Sequence, residues 1–122
     1  MATIDITEKT FDETITDNSI VLVDFWAGWC GPCRMFAPTF TAASVKHPEI
    51  VFAKVDTEAE QGLAAAAGIR SIPTLMAFRD KVLVFSQPGA LNAASLDEVI
   101  AGVQNLDMAA VHASVAAQQA SA

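Results

Sequence analysis

Apolar and polar positions alternate in period along the chain, and each change of period marks an element. Ala2 to Ile6 reads as a short strand. Thr7 is placed to cap a helix reaching about Asp17, with Phe11 and Ile15 one turn apart on its inner face. Ile20 to Ala27 is apolar at both parities and β-branched at its start, which predicts a central strand covered on both faces. A helix should start just after Cys30, with Pro32 in its first turn, where a missing N–H costs nothing. It runs towards His47, carries Pro38 inside as a kinking residue, and stops at Pro48.

Ile50 to Asp56 reads as the next strand. Thr57-Glu58-Ala59-Glu60 has the form of a capping box opening a helix through Ala67, with Gly68 as its stop. Thr74 to Arg79 and Val82 to Ser86 form a hairpin, although Asp80-Lys81 lacks the glycine that a two-residue turn prefers. Ser95-Leu96-Asp97-Glu98 reads as a second capping box for a helix to about Leu106. The order βαβαβαββα predicts an α/β fold whose sheet is parallel at first and antiparallel at the late hairpin, with helices on both faces. One domain, residues 1–106, accounts for all of this. Residues 107–122 form an alanine-rich tail with a weak stripe at Met108, Val111 and Val115, read as either a helical extension or a frayed end.

Composition narrows the function. With 52% apolar and 17% charged residues in 122, the chain can build a real core. A net charge of -7 repels phosphates and argues against nucleic acid as a partner. All 7 Lys and Arg lie at or before Lys81, so no basic tail is available to hold an anionic membrane. Met1 to Thr10 contains acids and no apolar core of a signal peptide, and Ile20 to Cys30 is too short to span a bilayer. The expectation is a cytoplasmic protein.

The 2 cysteines stand three apart, in Trp29-Cys30-Gly31-Pro32-Cys33. In a reducing compartment such a pair is catalytic or metal-binding more often than a staple. Across a helix start the two side chains share a face within bridging range. Cys30 would meet unpaired backbone N–H groups and the positive end of the helix dipole, which favours its thiolate. Cys33, one turn inside, should be more buried. Cys30 is therefore the attacking sulfur and Cys33 the resolving one. A more acidic thiol is also a weaker nucleophile, so most of the rate has to come from positioning the target and from an intramolecular second step.

Other readings of the pair are weaker. A zinc site needs about four ligands, and only His47 and His112 are available to join the cysteines. A structural disulfide across so short a loop adds only about 2 kcal/mol in the chain-entropy model. Asp24 is unusual on physical grounds: a carboxylate in an apolar strand has its pKa raised, unless an edge or bulge lets it reach water. Phe11, Phe25, Phe40, Phe52 and Phe78 are expected in the core, and Trp26 partly so. Trp29 is expected to be exposed.

Asp24-Phe25-Trp26-Ala27-Gly28-Trp29-Cys30-Gly31-Pro32-Cys33 resembles the active-site signature of the thioredoxin family. The likeness continues through Ala37-Pro38, Ala53-Lys54-Val55-Asp56, Gly68-Ile69-Arg70-Ser71-Ile72-Pro73-Thr74 and Gly89-Ala90, covering about residues 2 to 106. It implies a thioredoxin-like fold, a mixed central β-sheet flanked by helices on both faces. It also implies a protein-disulfide reductase in cell redox homeostasis, whose redox group is the Cys30–Cys33 disulfide and which needs no other cofactor and no metal. The Gly31-Pro32 dipeptide resembles that of the reducing members. The resemblance further implies disulfide-containing target proteins, recycling by a thioredoxin reductase (an NADPH-dependent flavoprotein), and a monomer. It casts Asp24 as proton acceptor for Cys33, with Lys54 paired to it, and makes Ile72-Pro73 a cis-proline loop facing the cysteines. Trp29, Gly31, Pro32, Ile72, Pro73, Gly89 and Ala90 would line the substrate surface. Ser71 stands where many relatives have glycine, and Pro88 where they commonly have an apolar residue with a free N–H. The chain has no Gly-x-Gly-x-x-Gly run and should bind no nicotinamide itself. The alternative is a non-catalytic interaction module using the same groove.

Overall fold

The computed structural model describes residues 3–121, so Ala2, the first residue of the expected leading strand, lies outside the described residues. The elements are β1 (Thr3–Asp5), α1 (Glu8–Asp17), β2 (Ile20–Trp26), α2 (Gly31–Lys46), β3 (Val51–Asp56), α3 (Gln61–Ala66), β4 (Thr74–Arg79), β5 (Val82–Pro88), α4 (Ala93–Gln104) and α5 (Met108–Ser121). The sheet order is β1-β3-β2-β4-β5. β1 and β2 each run parallel to β3, and β4 runs antiparallel to both β2 and β5. This is the expected mixed sheet.

Side-chain alternation along β2 splits the core in two. Leu22 joins Phe36 and Phe40 of α2, Phe52 and Leu75 of the sheet, and Leu96 and Ile100 of α4. Val21, Val23 and Phe25 face the other way and join Ile15 of α1 and Leu63 of α3. Helices thus cover both faces. Phe40 packs against Phe36 and Phe52 at 5.6 and 5.2 Å between ring centres. Each such ring removed from water contributes about 1.5–3 kcal/mol. Asp24 shares the parity of Leu22, so it points to the α2 side of the sheet.

Two helix starts differ from the sequence reading. Thr57 caps nothing: its hydroxyl donates to the Trp26 carbonyl at 3.0 Å and its N–H to the same oxygen at 2.8 Å, so it continues the strand contact. α3 accordingly begins at Gln61, not at Glu58. Its end is as expected. Gly68 takes φ +72°, its N–H donates to Ala65 O, and the Ile69 N–H donates to Ala64 O, the paired bonds of a Schellman stop. Ser95 does not open α4 either. Asn92 does, its Oδ1 accepting the Ser95 N–H at 2.8 Å, so Ser95 lies inside the first turn.

The hairpin turn is built without glycine. Asp80 and Lys81 both have positive φ, 49° and 71°, the geometry of a type I′ turn. A bond from the Asp80 N–H to Ser19 O at 2.8 Å pins it to the start of β2. β5 runs two residues past the expected end, to Pro88, which an edge strand tolerates. Arg79 Nη1 reaches the carbonyls of Val103, Gln104 and Leu106 at 2.8 to 3.0 Å and so satisfies the open end of α4. Beyond it, Asp107 accepts the Ala110 N–H at 3.2 Å and starts α5. Val111 and Val115 of α5 face Val82 and Val84 of β5 across a shallow groove.

Candidate active site

β2 ends at the sheet's carboxyl edge, and the chain turns from it straight into α2. Cys30 is the N-cap of α2, with Pro32 in the first turn. The Cys33 N–H, one of the donors that a helix start leaves without an internal partner, points at Cys30 Sγ at 3.2 Å. The two cysteines form a disulfide with their Cα atoms 5.2 Å apart. Both sulfur-bearing residues are recessed, Cys30 at 4% exposure and Cys33 at 2%, so the expected difference in burial is in the right direction but small. Arg34 donates to Gly28 O at 2.9 Å and ties the loop before Cys30 to the first turn of α2.

The Ile72-Pro73 peptide is cis. Its loop faces the pair, with Ile72 O 3.7 Å from Cys30 Sγ. Thr74 donates its hydroxyl to Ser71 O at 2.5 Å, and Gly89, at φ +103°, donates its N–H to Pro73 O at 2.8 Å. Gly89 is therefore held beside the cis-proline loop. Trp29 is 68% exposed at the mouth. A cavity of about 510 Å³ opens over Cys30, and Trp29, Gly31, Pro32 and Ile72 line it. Pro73, Gly89 and Ala90 do not line it. Thr57, Glu58, Ala64, Ile69 and Arg70 do, and sequence reasoning missed them. Arg70 and Ile69 were within reach of it, since they belong to the Gly68 to Thr74 motif. Glu58 was assigned to a helix cap that does not form.

Asp24, on β2, is buried at 1% exposure and stands opposite Lys54 in the parallel register. Neither carboxylate oxygen has a hydrogen-bond partner among the described residues. Burial pushes its pKa from 3.8 up to about 7, against the opposing pull of the Lys54 charge. Lys54 does not form the expected ion pair. Its ammonium sits over the Trp26 ring, 4.9 Å from the centroid, and acts on Asp24 through the field alone. A lysine on the strand next to a half-buried tryptophan finds the ring face without the loss of hydration that a fully buried contact demands. Trp26 is thus a packing residue that also perches a cation.

His47 closes α2 and lies 3.4 Å from Glu49, and His112 sits on α5; neither lines the cavity over Cys30. Among the described residues, no group of three or more His, Cys, Asp or Glu side chains gathers to hold a metal ion. Nor, among them, is any helix long and apolar enough to cross a membrane.

A disulfide-bonded cysteine pair at a helix N-terminus, on a mixed five-stranded sheet and against a cis-proline loop, defines a thiol–disulfide oxidoreductase. A family model, "Thioredoxin", matches residues 2–102, and the chain belongs to the thioredoxin family. It is 54% identical to "Putative thioredoxin 2" of Streptomyces coelicolor over 121 residues, 99% of this chain and 90% of that protein. It is 44% identical to "Thioredoxin 1" of Synechococcus elongatus over 93 residues, 75% of this chain and 87% of that one. Among solved structures, the thioredoxin of Plasmodium falciparum superposes with a TM-score of 0.76 at 33% identity, covering 82% of this chain and 97% of that chain. The chain is a protein-disulfide reductase working by dithiol–disulfide exchange, and these findings favour that activity over a non-catalytic binding module.

Proposed function

We propose that Cys30 attacks and Cys33 resolves, and that the remaining site residues position the target and move one proton. The Cys30 thiolate attacks one sulfur of the target disulfide. A mixed disulfide forms, and the other target sulfur leaves as a thiolate. Cys33, having given its proton to the Asp24 carboxylate, then attacks the Cys30 sulfur. The second target thiolate departs, and the Cys30–Cys33 disulfide is left. Two electrons pass from the dithiol to the target, and no cofactor in the chain is needed. The observation that carries this order is the Cys33 N–H aimed at Cys30 Sγ at 3.2 Å. A helix-start donor of this kind stabilises negative charge on Cys30 and offers nothing equivalent to Cys33.

Asp24 suits the proton step because it is buried, lacks partners, and is poised near neutrality. Lys54, perched on Trp26, sets how far its pKa rises. Trp29, Gly31, Pro32, Ile72, Pro73, Gly89 and Ala90 form the surface that receives the target, whose extended backbone adds to the Ile72 backbone as a strand would. Residues 1–106 form the redox domain. Residues 107–122 form an appended segment: the family match ends before them, while the Streptomyces relative extends across them. The chain works in the cytoplasm as a monomeric electron carrier, and an NADPH-dependent thioredoxin reductase returns it to the dithiol.

The test is trapping. Cys33→Ser is expected to hold targets as mixed disulfides on Cys30, visible as adducts that reductant removes, and Cys30→Ser is expected to abolish insulin reduction. Adducts on Cys33 in the Cys30→Ser variant, with none on Cys30 in the converse variant, would reverse the order of attack.

A further inference from the structure

We propose that Arg70 determines which targets the site prefers, by pairing with a carboxylate on the target beside its attacked cysteine. This rests on the disulfide-reductase activity and names the target chemistry of that site. The chain as a whole is acidic, at a net charge of -7, yet the cavity over Cys30 has Arg70 in its wall. Three other cations on the body already have partners. Lys46 is paired with Asp97 at 3.1 Å, Lys54 lies on Trp26, and Arg79 closes α4. Arg70 is exposed and has no hydrogen bond or ion pair among the described residues. A second guanidinium, Arg34, is fixed to the loop before Cys30 through Gly28 O. The wall over Cys30 thus offers an available guanidinium on an otherwise negative molecule, with Glu58 as an acid in the same lining.

Reach agrees with this. Ile72 O lies 3.7 Å from Cys30 Sγ, and Arg70 is two residues earlier in the same loop. A target strand laid along that loop advances about 3.3 Å per residue, so a side chain two positions from its cysteine comes within about 7 Å, an arginine's span. An arginine fork suits a carboxylate there. Glu58 lines the same cavity, and its negative charge disfavours an acid on its own side. The site thus reads the charge of the flanking sequence.

The test uses three disulfide-bonded peptides that differ only in having Glu, Gln or Lys two positions from the attacked cysteine. At low ionic strength the wild-type chain is expected to reduce the Glu peptide about fivefold more efficiently, by kcat/KM, than the Lys peptide. Arg70→Gln is expected to bring that ratio to about one, Arg70→Glu to invert it, and Arg70→Lys to restore part of it. Glu58→Gln is expected to widen it, and about 0.5 M salt to shrink it. A wild-type ratio of one, or a ratio that Arg70→Gln leaves unchanged, overturns the proposal. Failure of the wild-type chain to reduce even the Gln peptide would instead overturn the reductase activity, and the proposal with it.

Discussion

Replacing Asp24 by asparagine should make the stability of the fold much less sensitive to pH. In the wild type the carboxyl titrates near pH 7 when folded and near 3.8 when unfolded. The folded state therefore holds a proton that the unfolded chain has released, and stability falls as pH rises between those two values. The contribution is fully present below pH 3.8 and is gone above about pH 7. The gap, at about 1.4 kcal/mol per pH unit, amounts to about 4 kcal/mol. Asparagine has nearly the same volume and does not titrate, so its own cost does not depend on pH. The informative quantity is the difference between the two proteins across the pH range, since every other titrating group is common to both. Urea unfolding of the oxidised forms, from pH 4 to pH 8.5, keeps both thiols out of the titration. The difference should grow in favour of Asp24→Asn, by about 3–4 kcal/mol in total, and level off above about pH 7.5. A flat difference would show that Asp24 is hydrated in the native state, and the argument from burial would fail.

Lys54→Gln should raise the Asp24 transition to still higher pH, because the one opposing charge is lost; the same urea series read against the wild type checks it, and an unmoved transition would remove Lys54 from the site. Trp26 fluorescence should change in that variant as well, since the ammonium leaves its ring face. Arg79→Ala strips the donor from three helix-end carbonyls and should cost about 2–3 kcal/mol, with faster amide exchange through α4 and α5 as the specific sign. Asn92→Ala should cost about 1 kcal/mol in thermal unfolding while Ser95→Ala costs little, the reverse of what a cap at Ser95 would give.

Much of this architecture is legible in residue order. The double-sided apolar run from Ile20 reads as a central strand, and the late pair Thr74 to Arg79 and Val82 to Ser86 as an antiparallel hairpin, and the structure has both. The capping boxes at Thr57 and Ser95 misled because the pattern of a hydroxyl followed by a glutamate is local, while the choice of cap is made by neighbours. Trp26 O claims the Thr57 hydroxyl, and Asn92 takes the role three residues before Ser95. The positive φ at Asp80 and Lys81 was hidden for a similar reason, since a contact with Ser19 across the sheet holds a turn that the dipeptide alone would not choose. At the site, the cysteines, Trp29 and the Ile72-Pro73 loop were readable from spacing and likeness. The perch of Lys54 on Trp26 was not, because two destinations for one flexible ammonium look the same in a linear sequence.

The recess of both sulfurs carries a consequence for who can react. Sulfurs sunk to this depth cannot sweep across a folded surface in search of disulfides. The client has to carry its own bond down to the atom, on a protruding loop or a stretch of chain already loosened from its neighbours. Flexibility of the client then works as an entry requirement, and well-packed structural crosslinks in otherwise healthy proteins are spared by shape alone.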